Sequence, residues 1–167
     1  VGIQGPGIGE RAYQQAANYA RERVQGANNR GETVPIVEHP DVKRMLLDMK
    51  AKTEACRAIT IYTAACIDHS KRAPADADRA KFQSRLELLT PIAKAWCSNV
   101  GIDIASTGIQ VHGGTGFIEE TGAAQHYRDI RITAIFEGAN GIQAKDLVGR
   151  KVIRDNGEAL AIMSTEI

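Results

Sequence analysis

Apolar side chains recur at threes and fours through three long stretches of this chain, and no alternating run of useful length competes with them. That pattern constrains the fold more than any other feature. In the first stretch Ala12, Ala16, Tyr19, Ala20 and Arg23 recur from Glu10 onward. Gly26 and the cluster Asn28-Asn29-Arg30-Gly31 stop it. Residues 27–38 read as a polar loop. His39-Pro40-Asp41 then opens a second helix, with Pro40 in its first turn and Asp41 at the positive end of its dipole. Val42, Leu46, Met49, Thr53, Cys56, Thr60, Thr63 and Ile67 trace its face. A third helix starts at Ala75. Phe82, Leu86, Leu89, Ala93, Trp96 and Val100 recur along it, Pro91 kinks it without ending it, and Gly113-Gly114 stops it after His112. A short helix near Thr121–Asp129 and a last one from about Asn140 to Arg154 follow. Ile130–Ile135 alternates weakly but is too short to build a sheet. The expected fold is all-α, an antiparallel four-helix bundle over residues 1–167.

The glycines at 2, 5, 7 and 9 follow no strand, so they are not a dinucleotide fingerprint. They predict close helix–helix approach instead. The net charge of +1 gives no reason to expect nucleic acid or an anionic membrane surface as partner, and 5% aromatics offers few platforms for stacking bases. No apolar run reaches membrane length. Cys56, Cys66 and Cys97 make an odd set inside apolar helical patterns, which predicts reduced core residues in a reducing, cytoplasmic setting. The chain opens on Val1 within a helical pattern, and it reads as a piece of a longer protein. The four histidines have no metal-ligand spacing to one another or to the cysteines, so no metal is expected. No Gly-x-Ser-x-Gly elbow occurs.

Two runs carry chemistry. In Ile135-Phe136-Glu137-Gly138-Ala139-Asn140-Gly141-Ile142-Gln143 a single carboxylate stands between bulky apolar residues and two glycines. Ile132, Ile135 and Phe136 are expected to wall Glu137 off from water. Such a wall would make it hold its proton more tightly, as a base for carbon acids requires. In Gln110-Val111-His112-Gly113-Gly114-Thr115-Gly116 three glycines in four positions allow a backbone nest for an anion such as pyrophosphate. Arg128, Asp129 and Arg131 are expected to brace the turn before Glu137 by ion pairing. Arg23, beside Gln25 at a helix end, offers a planar fork for a phosphate. Residue by residue, each run also fits a plain turn or cap.

Together these runs resemble the C-terminal helical domain of the acyl-CoA dehydrogenase family. The resemblance lies in residues 19–26, in Gln110 to Phe117, in Tyr127-Arg128-Asp129-Ile130-Arg131-Ile132, and in Ile135-Phe136-Glu137-Gly138, in order and in register. His39 to Leu46 and Asp146 to Lys151 resemble a bacterial branch of larger members with a C-terminal extension. The resemblance implies an FAD enzyme that desaturates an acyl-CoA thioester between its α and β carbons. Glu137 falls on the base that removes the α proton while a hydride equivalent leaves the β carbon for flavin N5. The backbone N–H of Glu137 falls on a donor to the thioester oxygen, and Gly138 on a substrate-facing position. Arg23 and Gln25 fall on flavin-phosphate contacts. Gln110, Val111, His112, Gly113 and Gly114 fall on the run that holds the adenosine side of the flavin across a subunit interface. Ala139 and Gly141 fall on further flavin positions, where Ala replaces the usual Thr and Gly a polar residue. Phe136 replaces the usual Tyr.

The resemblance further implies an electron-transfer flavoprotein as redox partner and a homodimer or homotetramer. The family's N-terminal helical domain and middle β-domain have no counterpart in the chain, which implies a fragment that is inactive alone. A non-catalytic binding or assembly module of the same fold is the alternative, and an unrelated helical interaction protein a further one.

Overall fold

The computed structural model describes residues 1–166. Three long helices dominate: α1 (Gln4–Glu22), α2 (Pro40–Arg72) and α3 (Asp76–His112). Four shorter ones follow: α4 (Gly114–Phe117), α5 (Ala123–Arg131), α6 (Asn140–Asp146) and α7 (Glu158–Thr165). The expected all-α bundle is what the chain forms. The last expected helix is interrupted, however: α6 passes at Leu147–Val152 into a π-helical segment before the chain turns into α7.

α3 is the axis of the molecule, packed against α1, α2, α5 and α6. The core joins Ala12, Ala16 and Ala20 of α1 to Met45, Met49 and Cys56 of α2. Cys97, Val100, Ile104, Ala105 and Val111 of α3 and Ile130 of α5 complete it. Burying each of the larger of these aliphatic side chains contributes about 1.5–3 kcal/mol. α1 offers mostly alanine and glycine to this core, so its backbone lies close to α3. A Cβ on Gly101 would sit 3.0 Å from the carbonyl oxygen of Gly5. All three cysteines are buried free thiols, as expected. Trp96, expected on the inner face, is 39% exposed. α3 is covered on several sides, so one apolar stripe does not define its interior.

The polar loop expected at residues 27–38 is in part a β-hairpin. β1 (Val24–Ala27) pairs antiparallel with β2 (Thr33–Pro35). Asn28 builds the turn, its side-chain oxygen accepting from the N–H groups of Arg30 (2.8 Å) and Glu32 (3.1 Å). Every residue of β1 is exposed, so no period-two burial marks the strand.

Candidate active site

α5 ends in a 3-10 turn, Ile132–Ala134, whose inward residue is Thr133. Its hydroxyl donates to the Ile130 carbonyl at 2.7 Å. The chain then reverses through two consecutive left-handed residues, Glu137 (φ 51°) and Gly138 (φ 85°). A non-glycine residue there costs about 1–3 kcal/mol and persists only where its surroundings hold it. At Gly138 a Cβ would lie 2.7 Å from Gln143 Nε2, which donates to the Gly138 carbonyl at 3.2 Å. The conformation favours glycine, and an added Cβ would also displace the Gln143 amide.

What holds the turn is Asn140, the first residue of α6. Its Nδ2 donates to the Ala95 carbonyl (3.2 Å), Ser98 Oγ (2.9 Å) and Asn99 Oδ1 (2.7 Å), all on α3. Its Oδ1 accepts from Lys94 Nζ at 2.9 Å. The Ser98 hydroxyl donates in turn to the Lys94 carbonyl at 2.8 Å. Lys94 is only 7% exposed. Burial pushes its ammonium below the usual lysine range, and the field of the Glu137 carboxylate opposes that shift.

Glu137 opens on a groove of about 640 Å³, lined also by Gly138, Ile142, Gln143, Lys145, Asp146, Gly149 and Arg150. The expected apolar wall is not formed among the described residues. Ile132 is 51% and Ile135 52% exposed, and Glu137 itself is exposed. The 3-10 turn spends its inward position on Thr133, and the left-handed turn carries the carboxylate outward. Ala139 and Gly141 are exposed beside it. The expected bracing pairs also differ: Arg128 pairs with Glu119 at 2.6 Å rather than with Asp129.

The other expected residues gather where α1 and α3 end. Tyr19 stacks on His112 with ring centroids 4.5 Å apart. Arg23 and Gln25 follow at the start of the hairpin, exposed, with Arg23 Nη2 donating to Gln25 Oε1 at 3.4 Å. That long contact leaves most of the guanidinium fork open to an anion. Gln110, Gly113 and Gly114 are exposed. Val111 and His112 are not, at 4% and 5% exposure. His112 Nδ1–H donates to the Gly108 carbonyl at 2.7 Å, and the residue also edges the cleft lined by Tyr19, Gln15 and His126. Exposed donors around a glycine run fit a phosphate-bearing cofactor such as FAD. From Asn99 to His112 is about 20 Å along α3 at 1.5 Å per residue. One copy of the chain therefore keeps this region apart from Glu137. No cluster of His, Cys, Asp or Glu able to hold a metal occurs among the described residues. None of their helices is long and apolar enough to cross a membrane.

The family model described as acyl-CoA dehydrogenase, C-terminal domain, matches residues 1–152. The chain belongs to that family. It is 52% identical over 160 residues to a 3-methylmercaptopropionyl-CoA dehydrogenase of Ruegeria pomeroyi, covering 94% of this chain and 27% of the relative. It is 38% identical over 170 residues to a butyryl-CoA dehydrogenase of Syntrophomonas wolfei, covering 100% and 28%. The chain thus spans just over a quarter of the length of these relatives. Among solved structures it is similar to an acyl-CoA dehydrogenase complexed with FAD from Bacillus anthracis. There the TM-score is 0.78 at 27% identity, over 93% of this chain and 27% of that one.

Proposed function

We propose that the chain is the C-terminal domain of a longer FAD-dependent acyl-CoA dehydrogenase, with Glu137 as the base that takes the α proton of an acyl-CoA thioester. One observation carries this reading. Glu137 is a non-glycine residue held in the left-handed region at the mouth of a groove, on a turn bolted to the central helix through Asn140. Asn156, in the turn before α7, is also left-handed, so it is the combination of that conformation with the groove and the Asn140 anchor that supports the reading.

The residues then have distinct tasks. The Glu137 carboxylate accepts the α proton, a role that contributes about 100- to 10,000-fold in rate. Its own N–H is the donor for the thioester oxygen, where negative charge develops. Gly138 lets the acyl group come close to the backbone. Bound FAD supplies the acceptor for the hydride equivalent leaving the β carbon. Arg23 and Gln25 hold its phosphates, and Gln110, Gly113 and Gly114 present backbone and amide groups to its adenosine side. Ala139 and Gly141 leave room beside the base. The acyl-CoA itself displaces water from the exposed carboxylate, a task the chain's own side chains do not perform.

The distance between the two regions favours a flavin shared between copies, in a homodimer or homotetramer. Phe117, 81% exposed, stands beside the exposed Ile118 and Tyr127 as apolar surface suited to such burial. Electrons then leave to an electron-transfer flavoprotein. The chain on its own is proposed to be inactive and to retain FAD poorly. Stable flavin absorbance co-purifying with it would contradict that.

The test is an anaerobic titration of the intact protein with a panel of acyl-CoA thioesters, including the 3-methylmercaptopropionyl and butyryl esters. Bleaching of the flavin by at least one supports the reading. A flavin-loaded protein that no thioester bleaches, and whose ligand binding is indifferent to Glu137→Gln, is instead a non-catalytic module of the same fold.

A further inference from the structure

The buried ammonium of Lys94 has no role in the proton transfer described so far. Lysine is among the residues least often buried without a paired charge, and no carboxylate lies within ion-pair distance of this one among the described residues. Its partner is the neutral side-chain oxygen of Asn140, at 2.9 Å. The negative charge whose field reaches it is Glu137, three residues before Asn140. Nothing in helix packing requires this arrangement, because an apolar side chain would fill the same space at lower cost.

We propose that Lys94 is a positioning residue for Glu137. Through Asn140 it fixes the turn that carries the acid, and its charge keeps that acid ionised when a bound acyl-CoA excludes water. The proposal rests on the dehydrogenase reading above and adds to it the origin of the base's charge state.

The physical need is specific. Glu137 is exposed in the free chain, and a thioester lying over it strips its solvation, which favours the neutral acid. A neutral acid accepts no proton. A buried cation bonded to Asn140, and not among the groove's lining residues, counters that penalty and remains when the water has gone. The ammonium is itself held down by burial, with the Glu137 carboxylate opposing. Other charges face the same groove. Lys145, Asp146 and Arg150 line it from α6 and the π-helical segment, but Asp146 and Arg150 pair with each other at 3.3 Å. The start of α1, packed over Lys94, carries no ionisable side chain between Gly2 and Gly9. Lys94, on α3, is thus the buried cation that bonds to this turn.

Two measurements test the proposal. In the 167-residue chain, labelled at lysine, the Lys94 ammonium is titrated by NMR in the wild type and in Glu137→Gln. The carboxamide substitution is at an exposed position and leaves the core intact. The expected result is a Lys94 midpoint at lower pH in the variant; an unchanged midpoint overturns the proposal. In the intact protein, the rate of flavin reduction by an acyl-CoA is followed against pH in Lys94→Met and Lys94→Arg. The methionine variant is expected to move the acid limb to higher pH and recover toward wild type in alkali. The arginine variant, which keeps the charge, leaves the limb in place. A uniform loss at every pH marks a merely structural lysine and also overturns the proposal. A wild-type protein inactive with every thioester refutes the dehydrogenase reading instead, and the NMR comparison still decides whether Lys94 and Glu137 sense each other.

Discussion

Gly5 of α1 sits so close to Cys97 of α3 that no side chain fits between them: a Cβ on Gly5 would lie 2.6 Å from the Cys97 carbonyl carbon. Both partners are backbone, so neither can swing aside. Gly5→Ala is expected to destabilise the chain by about 1–3 kcal/mol through overpacking. Gly7, two residues on and on nearly the opposite face of α1, meets nothing within 4 Å. Gly7→Ala is expected to be neutral or to stabilise by up to about 1 kcal/mol from helix propensity. Urea unfolding of both variants checks the contrast; equal effects would show that α1 and α3 are not in this register.

Asn140 joins the site to the core. Asn140→Ala leaves the buried Lys94 ammonium without its acceptor, while the Ser98 hydroxyl keeps its bond to the Lys94 carbonyl, at an expected cost of about 1–3 kcal/mol. Asn99→Ala removes one exposed partner and is expected to cost less than about 1 kcal/mol. Denaturant midpoints of the two variants measure the difference. Similar small losses would mean that the network does not hold the turn.

Gly138→Ala is expected to impair the site more than the fold. The new Cβ displaces the Gln143 amide that donates to the Gly138 carbonyl and sits at a positive φ that alanine adopts poorly, which strains the turn carrying Glu137. The expected outcome in the intact protein is at least a ~10-fold loss in the rate of flavin reduction, from misplacement of the base. The loss of thermal stability is expected to be modest. Unchanged kinetics would detach the turn's geometry from the chemistry.

Stability is expected to fall in mild acid through His126. Its Nε2–H donates to Gln15 Oε1 at 2.8 Å between α5 and α1. Burial, followed by the nearby Arg11 and His112, pushes its pKa below the ordinary 6.5, with Asp129 opposing. Between the depressed native value and 6.5 the unfolded chain binds more protons here than the native one. Stability therefore rises with pH through that window and is lost as pH falls through it. His126→Gln keeps a donor for Gln15 and removes the titration. Its unfolding free energy is expected to drop less than that of the wild type between about pH 7 and about pH 5. Parallel urea series at the two pH values make the comparison, and identical slopes would remove His126 from the account.

The three long helices are legible in the sequence because each carries its own spacing of small and apolar residues, with Pro40 and Gly113 as punctuation. The hairpin after α1 is not, because its strands bury almost nothing and a polar turn around Asn28 holds them. The outward position of Glu137 could not be read either. Ile132 and Ile135 look like a wall in one dimension, but the 3-10 turn points Thr133 inward instead. Lys94 and Asn140 were missed for a different reason. Pro91, Lys94, Ser98, Gly101, Ala105, Gly108 and His112 recur at threes and fours and are all buried. That stripe of small and polar residues was hidden beside the more conspicuous one through Leu89 and Trp96. A lysine in line with buried glycines was the available signal.

The central claim is that Glu137 removes an α proton, and the most direct measurement is α-hydrogen exchange into deuterated water from a bound thioester. It should be followed in the intact, flavin-loaded protein and in its Glu137→Gln variant. The predicted result is exchange in the wild type and at least a ~100-fold slower rate in the variant, with thioester binding retained. Exchange at the same rate in both proteins would contradict the account.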